Sequence, residues 1–261
     1  MGEIRDDPVA LRSPFKVRFF TDVMRRQMYG NFRAVRLLKP GLPNLPPDAP
    51  LVVYLNHPGW WDPAFFIVLR AALLPDHEGY APMENAALER YGFMKRIGVF
   101  GVDPGSPAGA VRFIRIGQHL LSNPKRSLWL TPQGRFADPR ERPVTLQAGL
   151  AHLMARVPGA VALPLAMEYP FWSEKRPEAL AAFGTPLRNV TADVDGWQTA
   201  LTGGLETIQD HLAQAAIARD TVAFETILGG ARGVGGIYGT WCRLRDLATG
   251  RRHNPDHLTE S

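Results

Sequence analysis

The sequence is poor in cysteine and contains no long apolar run. Cys242 is the single cysteine among 261 residues, so no internal disulfide forms, which is typical of a reducing compartment. It lies far along the chain from any motif, and we interpret it as structural rather than nucleophilic. No stretch of about 18 apolar residues occurs, and the charged segment from Met1 to Asp7 lacks the apolar region of a signal peptide. These absences predict a cytoplasmic protein without a transmembrane helix.

Composition excludes two further classes of protein. A hydrophobic content of 45% with 21% charged residues is typical of a globular protein and not of a disordered one. The net charge of +5 is compatible with nucleic-acid binding. Zinc-finger spacing, an RNP-like segment and a lysine-rich run are nevertheless missing, so we expect no nucleic-acid partner. At 261 residues the chain is long enough for one substantial domain or two small ones.

Motifs for cofactors, metals and serine nucleophiles are also missing. The glycine-rich segment 229–236 lacks the Gly-x-Gly-x-x-Gly spacing and follows a predicted helix, so we interpret it as a connector. Ser106 has a glycine directly before it instead of two residues before it, unlike a nucleophile elbow. Pro255 separates His253 from His257, which favours a solvated tail over a shared metal site. The sequence therefore implies no cofactor and no metal.

Positive charge is concentrated in residues 1–40, on Arg12, Lys16, Arg18, Arg25, Arg26, Arg33, Arg36 and Lys39. Apolar residues between them are spaced by four, four, four, three and three, at Phe20, Met24, Met28, Phe32, Val35 and Leu38. This period predicts a basic amphipathic helix over the N-terminal segment. Such a helix either binds the surface of an anionic membrane or packs on the domain with its basic face in solvent.

The remaining segment, residues 41–261, is predicted to form one α/β domain. After a proline-rich linker, predicted strands at 51–55, 127–130 and 160–167 alternate with predicted helices at 63–74, 86–95, 108–121, 148–156 and 197–219. This alternation favours a mixed, partly parallel sheet flanked by helices, with a helical C-terminal part at about 190–250. Ligands of such sheets bind beyond the carboxyl ends of the strands.

A polar turn directly follows the first predicted strand of this domain. It reads Asn56-His57-Pro58-Gly59-Trp60-Trp61-Asp62. Pro58 and Gly59 prevent a helix from beginning at His57, whereas Asp62 before a proline is typical of an N-cap. On one helix His57 and Asp62 would lie about 140° apart. A strand, turn and helix start can instead fold Asp62 onto the imidazole.

A carboxylate on one ring nitrogen fixes the histidine tautomer and leaves the other nitrogen free to accept a proton. The alternative is that Asp62 is only an N-cap and His57 only a turn residue. Trp60 and Trp61 either form a hydrophobic wall beside the polar pair or anchor the core.

This turn resembles the His-x4-Asp motif of the glycerolipid acyltransferases, the 1-acylglycerol-3-phosphate or lysophospholipid O-acyltransferase family. Later segments keep the family order over about residues 50–170. Gly98–Asp103 takes the place of the second block. Thr131-Pro132-Gln133-Gly134-Arg135-Phe136 stands where the family has Phe-Pro-Glu-Gly-Thr-Arg. The strand 161–167, which carries a proline, corresponds to the fourth block.

The sequence departs from the family pattern at three points. Asp103-Pro104 occupies the place of the phosphate-binding arginine of the second block, for which Arg112 or Arg115 of the next helix are candidate substitutes. Gln133 replaces a glutamate, and Arg135 lies one place early. The Trp-Trp form of the first block is similar to that of a divergent bacterial subgroup, which includes acyltransferases of glycosylated carotenoids.

The resemblance implies transfer of a fatty acyl group from acyl-CoA or acyl carrier protein to the hydroxyl of a lysophospholipid or related lipid. His57 would be the general base and Asp62 its orienting carboxylate. The substrate-binding residues would be Trp60, Trp61, Pro132, Gln133, Gly134 and Arg135, with backbone N–H groups near Gly134 at an oxyanion and with Phe65 and Phe66 in an acyl wall. The alternatives are acylation of a non-phosphate acceptor such as a glycolipid or carotenoid glycoside, thioester hydrolysis, and non-catalytic lipid binding. Peripheral contact with the inner face of the cell membrane is expected through the basic helix.

Overall fold

A computed structural model describes residues 4–190 and 193–230. Cys242, His253, His257 and most of the glycine-rich segment lie outside the described residues, as does the end of the predicted C-terminal helical part. The helices are α1 (Pro8–Leu11), α2 (Pro14–Asn31), α3 (Asp62–Leu73), α4 (Asn85–Arg90), α5 (Pro107–Leu121), α6 (Gly149–Met154) and α7 (Val194–Ala218). The strands are β1 (Ala34–Leu38), β2 (Leu51–Leu55), β3 (Glu78–Glu84), β4 (Val99–Val102), β5 (Arg126–Leu130), β6 (Val161–Glu168), β7 (Ala179–Phe183) and β8 (Phe224–Gly229). Gly92–Ile97 and Thr221–Ala223 form 3₁₀ turns.

The strands form one eight-stranded sheet in the order β4-β3-β5-β2-β6-β7-β1-β8. The five strands β4, β3, β5, β2 and β6 are parallel to one another. β7 is antiparallel to β6, and β1 is parallel to β7 but antiparallel to β8. The predicted mixed, partly parallel sheet flanked by helices is therefore confirmed, with β2 near its centre.

Helices cover both faces of the sheet, which is why β2 is apolar at every position. Val52 and Tyr54 belong to the core cluster under α5, α6 and α7, whereas Leu51, Val53 and Leu55 belong to the cluster under α2 and α3. All five side chains are buried. Continuous apolar runs of this kind are typical of parallel strands with helices on both sides.

A local sequence signal accounts for the start of α5. Ser106 is the N-cap of α5, where its side chain accepts a hydrogen bond from the Gly109 N–H at 2.9 Å. A Cβ atom at Gly109 would lie 2.1 Å from the Asp103 carbonyl oxygen, so the chain can enter α5 here only with glycine. The Gly-Ser-Pro-Ala-Gly segment is thus a helix start.

The predicted N-terminal helix is present but ends earlier than its apolar period suggested. α2 stops at Asn31, and residues 34–38 instead form β1, which lies between β7 and β8. Val35 and Leu38 therefore contribute to the sheet and not to a helical stripe. Met28 is fully buried, and Phe20 contacts Phe93 with ring centroids 5.4 Å apart. The predicted apolar stripe thus faces the domain.

Three more strands replace predicted loop or helix. β3 lies in a segment for which no helix or strand was predicted, yet it pairs with β4 and β5. β7 was not predicted, and β8 lies within the C-terminal part that was predicted to be helical. These strands depend on pairing partners distant in sequence, which local patterns do not reveal. Among the described residues, no helix combines the length and apolarity needed to cross a bilayer.

Candidate active site

Three loops meet at one edge of the sheet and form the candidate site. β2, β5 and β6 are adjacent and parallel, so the residues that follow them lie side by side. His57 comes after β2, Gln133 after β5, and Tyr169 directly after β6. This is the edge at which ligands of open α/β sheets bind, and it is the edge expected from the sequence.

Asp62 contacts the imidazole of His57, as the turn geometry predicted. Its Oδ2 lies 2.5 Å from Nδ1 of His57. The Asp62 side chain is fully buried, whereas 22% of the His57 side chain is exposed. The predicted N-cap role of Asp62 is wrong: Trp61 is the N-cap residue of α3 and Asp62 is its first residue. The carboxylate points back at the turn instead of capping the helix.

Two further donors bind the buried carboxylate. The Gly59 N–H donates to Oδ2 of Asp62 at 3.1 Å, and the Tyr169 hydroxyl donates to Oδ1 at 2.6 Å. Burial raises the pKa of Tyr169 well above its ordinary value, and the neighbouring Asp62 charge raises it further. The phenol therefore keeps its proton and remains a donor. The Asp62 carboxylate is therefore contacted by the imidazole, a backbone N–H and a phenol.

Residues 56–62, the histidine turn, form hydrogen bonds with segments on both sides of β2. The His57 N–H donates to Oε1 of Gln133 at 3.0 Å, and the His57 carbonyl accepts from the Ala137 N–H at 3.0 Å. Asn56 bonds to both the N–H and the carbonyl of Met167 at 2.8 and 3.0 Å. Gln133 is only 7% exposed, and its amide oxygen supports the backbone of His57.

The second ring nitrogen of His57 remains available. Within residues 4–190 and 193–230, Nε2 of His57 has no protein hydrogen-bond partner. With the proton of Nδ1 held by Asp62, Nε2 carries a lone pair. The ring of Phe136 lies beside the imidazole, with centroids 4.4 Å apart, and is itself 60% exposed. The arrangement can therefore accept a proton next to an apolar surface.

The turn after β5 is closed by backbone hydrogen bonds. Gly134 adopts a φ of 68°, and its N–H donates to the Thr131 carbonyl at 3.1 Å. The N–H of Gly134 itself is therefore already bonded within the turn. Pro132 is buried, and its carbonyl accepts from the Gln147 N–H at 2.7 Å. Both residues shape the loop.

Arg135 lies on the outer surface of this loop and is 54% exposed. Both of its terminal nitrogens bond to the Glu141 carboxylate, and this contact raises the pKa of Arg135. Arg140 pairs with Asp138, and Arg142 pairs with Asp210 of α7. An anionic substrate group at these arginines would have to displace a carboxylate of the chain.

Residues 98–103, which take the place of the second family block, lie at the same edge of the sheet but farther from β2. Gly101 is on β4, three strands away from β2, which corresponds to about 14 Å. Arg112, a candidate phosphate ligand, donates from Nε to the Gly101 carbonyl at 2.9 Å and from Nη1 to the Arg5 carbonyl at 3.2 Å. Its described contacts are thus to backbone and tie the N-terminal segment to β4.

The two tryptophans of the turn have different surroundings. Trp61 is partly buried and meets Phe32 edge-on, with centroids 5.3 Å apart. Trp60 is 76% exposed and touches Trp61 edge-on at 5.2 Å. Trp61 therefore packs against the core, while Trp60 lies at the surface.

The expected acyl-wall residues Phe65 and Phe66 both pack into the core. Phe65 is fully buried, and Phe66 stacks on Trp129 with centroids 5.8 Å apart. Phe136 is the aromatic side chain that lies beside His57. Sequence reasoning missed Phe136 and Tyr169. A signal existed for both, since each follows the end of a predicted central strand.

A cavity of about 290 Å³ lies at the opposite end of the strands. It is lined by Leu51 and Val161, which begin β2 and β6, and by the proline-rich linker. It is therefore remote from His57. In the part of the chain that the structure describes, no group of three or more His, Cys, Asp or Glu side chains is placed to hold a metal.

No family model matches the chain, and no curated protein is significantly similar to it.

Proposed function

We propose that the chain is an O-acyltransferase similar to the glycerolipid acyltransferases. It would transfer a fatty acyl group from acyl-CoA or acyl carrier protein to the hydroxyl of a lysophospholipid or related lipid. The observation that carries this proposal is the 2.5 Å contact between Nδ1 of His57 and the buried Asp62, with Nε2 left available. Lipid binding alone requires no such proton acceptor, which argues against the non-catalytic alternative.

In the proposed reaction His57 first accepts a proton and later donates it. Nε2 takes the proton of the acceptor hydroxyl while that oxygen attacks the thioester carbonyl. The carbon–sulfur bond then breaks, and the thiolate leaves with the proton from Nε2. Between these steps the imidazolium is stabilised by Asp62, whose charge is already present and oriented. The products are an ester and a free thiol, and no covalent enzyme intermediate forms.

The arginine pairs favour a particular kind of acceptor. Arg135, Arg140 and Arg142 each bond to a carboxylate of the chain, and Gln133 is neutral and buried. A phosphate-bearing acceptor is best bound by guanidinium groups that are free to fork onto it. This observation favours the second candidate function, acylation of a non-phosphate acceptor such as a glycolipid or carotenoid glycoside.

Peripheral contact with the inner face of the cell membrane is proposed through the outer face of α2. Three aromatic side chains project there: Phe15 is 77%, Phe19 63% and Tyr29 53% exposed. Exposed basic residues accompany them, namely Lys16, Arg18, Arg25 and Arg26. Aromatic and basic residues together on one surface suit an anionic bilayer. This exposed face lies opposite the apolar stripe of Phe20, Met24 and Met28 that the sequence period predicted.

Mass spectrometry of reaction products tests the transfer. Purified protein is given acyl-CoA or acyl carrier protein with separate lysophospholipid, glycolipid and membrane-extract acceptors. His57→Ala is run beside it, with His152→Ala as the matched control because His152 is an exposed histidine on α6. An ester made by the unmutated and His152→Ala proteins alone supports transfer and names the acceptor. Free fatty acid without ester indicates hydrolysis, and lipid retained without thiol release indicates binding only.

Vesicle sedimentation tests the membrane contact. Replacing Phe15 and Phe19 by serine is expected to weaken binding to anionic vesicles, while Ile217→Ser, an equally exposed apolar position on α7, leaves it unchanged. Equal binding of all three proteins would contradict the role of α2.

A further inference from the structure

Tyr169 reaches the candidate site from a distant part of the chain. Its hydroxyl bonds to Oδ1 of Asp62 across 107 positions of sequence. Its ring packs against Phe32 and Phe65, with centroids 5.5 and 5.9 Å away. The position of the Tyr169 hydroxyl is therefore fixed by the packing of its ring into the core beneath α2 and α3 and by its attachment to the end of β6.

The carboxylate of Asp62 is held at both oxygens. Oδ2 receives the Gly59 N–H and contacts Nδ1 of His57, while in the described residues Oδ1 receives only the Tyr169 hydroxyl. A carboxylate bonded at one oxygen can rotate about its Cβ–Cγ bond. Binding at Oδ1 removes that freedom and fixes the direction in which Oδ2 meets the imidazole.

We propose that Tyr169 is a positioning residue: by holding Oδ1 of Asp62, its hydroxyl sets the orientation of His57 and the charge that His57 meets. This inference rests on the proposed function, in which His57 takes the proton of the acceptor. Tyr169 touches Asp62 and not the reacting atoms, so it acts on the turnover step through His57.

Loss of the hydroxyl has a defined electrostatic consequence. Without the donor at Oδ1, more of the carboxylate's negative charge remains for Nδ1 of His57, which favours the protonated imidazole. The other charged groups of this edge, Arg135 with Glu141, Arg140 with Asp138, and Glu168, are left unchanged by a substitution at Tyr169. The pH midpoint of the His57 ring titration should therefore rise.

The test compares Tyr169→Phe with Tyr54→Phe. Both variants lose one buried hydroxyl, but the Tyr54 hydroxyl donates to the Leu201 carbonyl at 3.1 Å, away from Asp62. The NMR titration of His57, assigned by the signal missing in His57→Gln, should shift upward by about half a pH unit in Tyr169→Phe. Tyr54→Phe should leave the midpoint where the unmutated protein has it.

Steady-state kinetics supply the second readout. In Tyr169→Phe we expect kcat to fall about tenfold with KM nearly unchanged, while Tyr54→Phe keeps kcat at a comparable melting temperature. A midpoint that does not rise, or equal kcat in the two variants, overturns the inference. The titration needs no substrate. If the unmutated protein makes no ester, the proposed function fails, while a shifted or unshifted midpoint still decides the coupling of Tyr169 to His57.

Discussion

The histidine turn, residues 56–62, and the arginine loop, residues 131–142, lie at the same sheet edge but are built differently. In the turn, the Asn56 and Asp62 side chains are buried. Its polar groups bond to β6, to Tyr169 directly after β6, or to the segment after β5. In the loop, Arg135 and Arg140 are exposed and pair with acids a few positions away. Buried, multiply bonded groups hold a fixed geometry, whereas exposed ion pairs exchange readily with solvent. The turn is therefore suited to chemistry, and the loop to adaptable contact with a substrate.

A large loss of activity, second only to that expected at His57, is expected at Asp62. Asp62→Asn keeps the size of the side chain but removes the charge that stabilises the imidazolium, so we expect kcat to fall by at least about 100-fold. Asp76→Asn, an exposed position, serves as the control and should retain full activity. An Asp62→Asn protein that is folded and retains more than about a tenth of the activity would contradict the role of the turn.

A smaller effect is expected at Gln133. Gln133→Ala leaves the His57 N–H without its acceptor, so the free energy of unfolding should fall by about 1–3 kcal/mol and kcat should fall with it. Gln198→Ala also removes a side-chain bond to backbone, in this case to the Leu146 carbonyl, but far from His57. Urea unfolding and kinetics on both variants separate lost stability from lost activity. Equal kcat in the two proteins would show that Gln133 does not support His57.

How much of this site could be read from the sequence depends on how local each contact is. His57 and Asp62 are five positions apart, and Pro58 and Gly59 exclude a helix between them, so their contact follows from the turn alone. Tyr169 contacts Asp62 only because β6 lies beside β2. That neighbourhood is a property of the sheet order, which local patterns do not encode.

For the fold as well, elements determined by local sequence were predicted and elements that depend on distant pairing were not. The strands β2, β5 and β6 were predicted within one residue at each end because each is mostly apolar and buried on both faces. β1 was mistaken for part of a helix, since residues 35 and 38 happen to continue the spacing of α2. Its buried Ala-Val-Arg-Leu-Leu sequence suits an inner strand equally well, and pairing with β7 and β8 decides the outcome.

Glu168, the last residue of β6, gives a pH-dependent prediction. Burial raises its pKa, and the loop residues Arg140 and Asp138 modify the shift. A carboxyl group whose pKa is raised in the folded state binds more protons there than when unfolded, so its ionisation reduces stability as pH rises above its ordinary pKa. Glu168→Gln should therefore raise the melting temperature at about pH 7 and not at about pH 4. An equal change at both values would contradict the assigned burial.

The smallest effect is expected at Arg135. Its pair with Glu141 is exposed, so Arg135→Gln should change the melting temperature by less than about 2 °C. If the acceptor carries no phosphate, KM should also change little. A large rise in KM for a lysophospholipid, with Arg140→Gln as the control, would indicate that Arg135 leaves Glu141 to bind a phosphate.

The central claim is that Nε2 of His57 removes a proton during acyl transfer. The most direct measurement is the rate of ester formation by His57→Gln, taken on the same preparation as its melting temperature. We predict a fall of at least about 1,000-fold at an unchanged melting temperature, while His152→Gln keeps the full rate. Ester formation by folded His57→Gln at a rate near that of the unmutated protein would contradict the account.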